Sequence, residues 1–420
     1  METAPRRVML LTTPTSYRTA AFLHAAQRLG IETLVIEDTP SPLRELLPLR
    51  FTADFRDTAG ATEQIADIAR QYGVRAVIPV DDSGTVLAAL IAQQLGLPSN
   101  DPDAALAARD KWIMRQRLAA AGVPAPRAQA FPALADKASL ARLMSYPCVV
   151  KPTRLSGSRG VIRTDDPLSF VRAVDRIRSI LASDGIDLRT AQLLAEPFVP
   201  GFEVAVEGLL TDGEFQLLAL FDKPDPLDGP FFEETIYVTP SRLPPTVQDE
   251  IVAVTAKAAR ALGLRTGPVH AELRVNEAGP WVIELAGRSI GGLCSRILEF
   301  GTGLSLEELI LAHAVGEQPA GLERRPDAVG VMMIPIPRAG ILKDVEGIEE
   351  ASSVPGITGI EITVKRNHRI VPLPEGASYL GFIFARGSDP TEVETALRLA
   401  HARLRIRLAP ELPVLGVFTT

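Results

Sequence analysis

The first hundred residues switch repeatedly between two hydrophobic periods, and this alternation restricts the chain's architecture more than any other feature. Val8 to Leu11 is a short apolar run, Tyr17 to Leu29 places Phe22, Leu23, Ala26 and Leu29 at helical spacing before Gly30, and Thr33 to Ile36 is a second apolar run. Such a succession is a βαβ unit, because a parallel strand pair needs a helix to cover it. The rhythm repeats with a helix from Ala61 to Tyr72 closed by Gly73, a strand from Ala76 to Val80, and a helix to Leu95 stopped by Gly96-Leu97-Pro98. Ligands of parallel sheets gather beyond the strand C-termini, where Thr12 to Ser16 and the pair Asp81-Asp82 lie. The segment contains no G-x-G-x-x-G, so a dinucleotide site is unsupported. The two aspartates read either as helix N-caps or as crevice residues.

Beyond residue 100 the pattern changes. A helix spans Asp103 to Ala121 and breaks at Gly122-Val123-Pro124-Ala125-Pro126. Strands follow at Pro147 to Pro152, Val161 to Arg163 and Gln192 to Ala195, with a helix at Leu168 to Ala182. Glu203 to Leu220 is a hairpin turning at Asp212-Gly213, and helix Thr246 to Leu262 precedes a second hairpin, Val269 to Ala286. After Arg324-Arg325-Pro326, β-branched residues and glycines with a late helix, Thr391 to Leu404, indicate an α+β subdomain. The expected divisions are 1–105, a Rossmann-like parallel-sheet domain; 106–200 and 201–325, two β-rich lobes; and 326–420, the α+β subdomain.

Charge and cysteine usage remove several function classes. With 44 basic and 51 acidic residues the net charge is −7, which provides no footprint for nucleic acid or an anionic membrane. Two cysteines, Cys148 and Cys294, and five scattered histidines form neither a disulfide framework nor a zinc cluster. The N-terminal apolar run is shorter than a signal sequence requires, and no stretch approaches the ~20 apolar residues of a membrane span. A cytoplasmic protein is expected. Only seven of the 44 basic residues are lysines, so surface charge is assigned to arginine and each lysine merits inspection.

The hairpin Val269 to Ala286 carries the chemistry. A three-residue loop, Glu277-Ala278-Gly279, would pair Asn276 with Pro280, Val275 with Trp281, Leu273 with Ile283 and Ala271 with Leu285, one apolar face. On the other face Glu272 then opposes Glu284. Facing carboxylates repel unless something positive lies between them, and a hard divalent cation such as Mg2+ suits an all-oxygen pair. Solvent exposure of the two glutamates is the alternative. A second signal is Lys151, in the apolar strand before the Gly/Ser loop Ser156, Gly157, Ser158, Arg159 and Gly160. The N–H groups of this loop suit a polyphosphate, and lysine is a compact charge able to reach one phosphate oxygen. The loop lacks the P-loop spacing, and taken alone it reads as a plain hairpin turn; Lys151 is what points to phosphate.

Taken in order, Arg109-Asp110-Lys111, Val149-Val150-Lys151-Pro152, the Ser156 to Gly160 loop, Glu196-Pro197-Phe198-Val199, Glu203, and the pair Glu272 and Glu284 resemble the ATP-grasp superfamily. The resemblance implies an ATP-grasp fold with an N-terminal pre-ATP-grasp domain, in which two β-rich lobes clamp ATP. It implies that Lys111 and Lys151 contact phosphate and adenine-side groups, that the loop covers the phosphates, that Glu196 and the backbone near Phe198 hold adenine, and that Glu203 takes the ribose hydroxyls. Glu272 and Glu284 would hold Mg2+, with Mn2+ as a substitute. Where the family often has Glu-x-Asn-x-Arg, this chain has Glu284-Leu285-Ala286-Gly287-Arg288, and alanine cannot ligate. That variant, with Ser289 to Cys294, Lys223-Pro224-Asp225 and Phe231-Phe232-Glu233-Glu234-Thr235, is similar to the L-amino acid ligase branch, as are the last ninety residues.

The branch implies an ATP-dependent carboxylate–amine ligase that joins amino acids through an acyl phosphate, and a homodimer. Arg288, with the backbone of Gly291 and Gly292, would stabilise the oxyanion and phosphate. His270, on the face of Glu272, would orient substrate or assist proton removal, or serve only the fold. Glu233 and Glu234 would meet the amino acid's ammonium, with Phe231-Phe232 lining its pocket. The competing expectations are a ligase or carboxylase activating bicarbonate or formate, and an ATP-binding module without turnover, which Ala286 favours.

Overall fold

The structure, a computed structural model, describes residues 6–38, 49–317 and 321–410. The chain forms two compact units, each assembled from separate stretches: residues 1–130, 196–222 and 239–326 make the first, and 131–195, 223–238 and 327–420 the second.

In the first unit the N-terminal stretch forms a parallel sheet in the order Arg50–Ala53, Glu32–Asp38, Arg7–Thr12, Ala76–Pro79. The helices Thr19–Leu29, Thr58–Tyr72 and Thr85–Leu95 all end at left-handed glycines, Gly30, Gly73 and Gly96, a stop available cheaply only to a residue without Cβ. Neither Asp81 nor Asp82 caps a helix with its side chain. The spacing predicts one helix from Asp103 to Ala121; the structure has two, Pro102–Arg109 and Lys111–Ala120. Asp110 divides them. Its backbone is extended, and its carboxylate accepts from the N–H groups of Trp112 and Ile113 at 3.0 and 3.3 Å, starting a new helix one residue before Lys111.

The same unit holds four strands in the order Gly279–Ala286, Gly267–Asn276, Phe202–Thr211, Glu214–Lys223. Their apolar face, including Val204, Val206, Ala271, Leu273, Val282 and Leu285, packs with Met114, Leu118, Ile251 and Leu262 into one core. The register of the final hairpin differs from the expected one in an instructive way. Its loop has two residues: Asn276 pairs with Gly279, Val275 with Pro280, Arg274 with Trp281 and Leu273 with Val282. Gly279 has φ +95° and the Asn276 side chain accepts from the Ala278 N–H, so the tighter turn is the one stabilised locally. A one-residue slip would move every side chain to the other face. The register shift between Glu272 and Leu273 restores it by passing over Ile283, after which Glu272 pairs with Glu284, Ala271 with Leu285 and His270 with Ala286.

In the second unit one sheet has the order Gln129–Pro132, Gln192–Pro197, Cys148–Pro152, Ile162–Thr164 and packs on helix Pro167–Ser183. A second group of strands, Ile236–Thr239, Ala328–Ile334, Gly381–Gly387 and Ile357–Ile362, packs on helix Pro390–His401. Three of these strands and the helix follow residue 326, whereas Ile236–Thr239 comes from before it. Among the described residues, no helix is long and apolar enough to cross a membrane.

Replacing Asp110 by alanine removes both capping bonds. The variant is expected to lose about 1 kcal/mol of stability, seen as a lower urea midpoint at unchanged m-value.

Candidate active site

The paired strands carry the centre of the candidate site in the first unit. Glu272 and Glu284 face each other with side chains 24% and 33% exposed. Two positive or polarisable groups approach them. Lys111 Nζ, buried at the start of its helix, donates to Glu284 Oε1 at 3.1 Å. His270 Nε2 lies 3.7 Å from Glu272 Oε1. Small Ala286 stands opposite His270, on the face shared by the imidazole and both carboxylates. The donor set is oxygen-only, accessible and negative, which fits Mg2+ rather than a softer ion.

Around this centre buried arginines complete the arrangement. Arg115 lies one turn after Lys111, on the same helix face. Its Nε and Nη2 donate to the buried Glu196 at 2.9 and 3.3 Å, and Nη2 also donates at 2.6 Å to the carbonyl of Ile283, the residue passed over by the register shift. Arg274 Nε donates to the buried Glu203 at 2.9 Å, its Nη1 to the carbonyl of Val199 at 3.0 Å, and its guanidinium lies 4.9 Å from the Phe198 ring centroid. Glu196, Phe198 and Glu203, singled out for adenine and ribose, are thus each in contact with a buried arginine. Arginine as the surface cation is therefore corrected at Arg18, Arg115 and Arg274, which are only 3% exposed.

The loop after Glu284 is held from several sides. Asp82 receives Arg288 Nε and Nη2 in a two-pronged pair, 2.9 Å each. Arg18 donates to the carbonyl and hydroxyl of Ser289. Glu207, with no exposure, accepts from the Ile290 N–H at 3.0 Å and from His270 Nδ1 at 3.1 Å. Burial alone would lower the His270 pKa, but its hydrogen bond to Glu207 and the nearby carboxylate of Glu272 raise it above the ordinary value. Asp82 is held below the usual carboxylate range because Arg288 outweighs the upward push of burial. Gly291 is exposed and Gly292 has φ +61°. A cavity of about 120 Å3, lined in part by Ala76, Pro79, Ala88 and Ala108, reaches Asp82 and Arg288.

In the second unit Lys151 is buried on Cys148–Pro152. Of the loop that follows, Ser156 and Gly157 are exposed, Ser158 and Gly160 have positive φ, and Gly160 donates to the Pro374 carbonyl. Buried Lys223 pairs with Glu234 and lies 5.1 Å from the Tyr237 ring centroid. Glu234 therefore already has a cationic partner. Burial pushes the Glu233 carboxyl up, opposed by a hydrogen bond from the Ile336 backbone. Lys111, Lys151 and Lys223 are all buried, whereas Lys137 is partly exposed and Lys257, Lys343 and Lys365 are exposed.

Sequence reasoning overlooked Arg115, Arg274, Arg18 and Glu207. Two signals were available: Arg115 recurs four residues after Lys111, and Glu207 interrupts an otherwise apolar strand, Val204 to Leu210.

Comparison with known proteins agrees with this architecture. Residues 144–297 match the ATP-grasp domain, 23–99 the ATP-grasp N-terminal domain and 332–409 the L-amino acid ligase C-terminal domain 2. The crystal structure of L-amino acid ligase from Bacillus licheniformis superposes with a TM-score of 0.82 at 26% identity, covering 97% of this chain and 100% of that one. Alanine–anticapsin ligase of Bacillus subtilis is 29% identical over 59% of this chain, and dapdiamide A synthase of Enterobacter agglomerans 28% identical over 57%. Each alignment spans 56% of the relative's own length, so the chain matches about half of these two curated relatives.

Removing Arg115 would take two charge-assisted hydrogen bonds from the buried carboxylate of Glu196. Arg115→Ala is expected to lower stability by about 3–5 kcal/mol. Adding Glu196→Gln should recover much of that loss in chemical denaturation, since the buried charge is then removed together with its counter-charge. With an ATP-grasp domain, its N-terminal domain and the C-terminal domain of L-amino acid ligases in one chain, the protein belongs to the ATP-grasp superfamily and is similar along its length to an L-amino acid ligase.

Proposed function

We propose that the chain is an ATP-dependent carboxylate–amine ligase that joins two amino acids into a dipeptide or related amide, releasing ADP and phosphate. The observation that carries this reading is the facing pair Glu272 and Glu284, followed within four residues by a fixed Arg288. The full-length likeness to an L-amino acid ligase supports it.

The chemistry follows from charge. A carboxylate is a poor acylating group, so one of its oxygens attacks the γ-phosphorus of ATP and ADP leaves. The amine of the second substrate then attacks the acyl carbon, loses a proton, and phosphate departs with the original carboxylate oxygen. Both steps gather negative charge, so positioning and neutralisation dominate. In this reading Lys111, Lys151 and the loop of Ser156, Gly157, Ser158 and Gly160 bind phosphate oxygens. Glu196 and the Phe198 backbone hold adenine, and Glu203 holds ribose. Glu272 and Glu284 would hold Mg2+, or Mn2+ in its place, which when bound neutralises the β- and γ-phosphates. Arg288 and the N–H groups of Gly291 and Gly292 receive the oxyanion. His270, with Nδ1 on Glu207 and Nε2 facing Glu272, orients that carboxylate. Glu233 and Glu234 border the amino-acid substrate, with Phe231-Phe232 beside its side chain.

Phosphate release is to be measured with ATP, Mg2+ and paired amino acids. Amino-acid-dependent phosphate, matched one for one by amide product, is expected. Release that depends on bicarbonate would favour the carboxylase reading, and no release with any amino acid would refute the proposal. Glu284→Gln is expected to reduce turnover about 100-fold or more with an unchanged Tm; an active variant would remove the metal assignment. EDTA should abolish turnover and excess Mg2+ restore it.

A further inference from the structure

Arg288 is more tightly held than its place on a glycine-flanked loop would suggest. A guanidinium has five N–H donors. Asp82 takes one from Nε and one from Nη2, and the Ser289 carbonyl takes one from Nη1, all at 2.9 Å. Two donors, one on each terminal nitrogen, are then left for other partners. Two oxygens on two nitrogens fix the plane of the group as well as its position, which a single ion-pair contact cannot do.

Asp82 is itself anchored. It opens a short 3-10 turn, Asp82–Gly84, separated by two residues from the end of the strand Ala76–Pro79. The residue before it, Asp81, accepts from the Thr13 N–H and hydroxyl at 3.0 and 3.1 Å and from the Ser16 hydroxyl at 2.8 Å. The carbonyl of the residue after it, Ser83, accepts from Arg109. Next to Arg288 the loop backbone is pinned by Arg18 at Ser289 and by Glu207 at Ile290. Every group that sets the guanidinium's position is therefore part of the first unit. A half-buried charged pair of this kind seldom adds much net stability, whereas its two parallel contacts orient the guanidinium.

We propose that Asp82 is a positioning residue of the ligase reaction, holding the Arg288 guanidinium in one plane so that its two remaining donors meet the developing oxyanion without reorganisation. The proposal rests on the ligase reading and on the place of Arg288 in it. Preorganised donors give more than mobile ones because no free energy is spent orienting them during the reaction.

The test uses the full chain. Asp82→Asn preserves shape but replaces one acceptor oxygen with an amide nitrogen. Its kcat for amino-acid-dependent phosphate release is expected to fall about 10- to 100-fold, with ADP affinity within about twofold of wild type. Asp82→Glu, which keeps two acceptor oxygens, should recover part of the loss. Arg288→Lys should lose activity, and adding Asp82→Asn to it should cost less than about threefold more, because coupled residues are not additive. Should Asp82→Asn fail to fold, Arg288→Ala supplies a second route, since pairing it with Asp82→Asn leaves no unmatched charge. Methylguanidinium is expected to restore activity to Arg288→Ala and not to Arg288→Ala/Asp82→Asn. An unchanged kcat in Asp82→Asn, multiplicative losses, a raised amino-acid KM at normal kcat, or equal rescue of both alanine variants would each overturn the proposal. Absence of amino-acid-dependent release in the wild type would instead refute the ligase reading and this proposal with it; turnover in the wild type with any of the former results refutes the positioning role alone.

Discussion

Glu272 and Glu284 sit opposite each other on hydrogen-bonded strands, a placement that costs free energy until positive charge is supplied. Much of the first unit is organised around that requirement. Asp110 ends one helix and starts the next so that Lys111 stands at its first position, within hydrogen-bond reach of Glu284. One turn later Arg115 bonds the Ile283 carbonyl at the register shift, the irregularity that brings the two glutamates face to face. A single short helix thus supplies a counter-charge to the site and a partner to the bulge that creates it.

A second layer of buried and half-buried charge holds the periphery. Arg115 with Glu196, Arg274 with Glu203, and Arg288 with Asp82 each use guanidinium nitrogens on a carboxylate. Arginine suits this task because it stays charged when buried and its rigid fork fixes orientation. Lysine, a point charge on a flexible stem, is found at Lys111 and Lys151, where the proposed partner is a phosphate. The two cations differ in kind, with guanidinium fixing geometry and ammonium supplying a compact charge.

Most of the fold was legible because its signals are local. Helix stops at Gly30, Gly73 and Gly96, the Asp212-Gly213 turn and the change of hydrophobic period each act within a few residues. The errors came from local competition of similar size. Asp110 broke a helix that periodicity alone would continue, and Asn276 favoured a two-residue turn over a three-residue one. The facing glutamates were found in spite of the wrong loop length, because the skipped Ile283 returned the strand to the same register.

By itself the sequence determined the order of elements, the ATP-grasp succession of lysines, glycines and glutamates, and the arginine at position 288, since each depends on residue type and short spacing. Only the tertiary structure decided which arginine meets which carboxylate. Asp82 and Arg288 are 206 residues apart and Arg18 and Ser289 are 271. No hydrophobic period or turn preference reports such pairs, because they arise when separately folded elements pack and their buried charges must be satisfied.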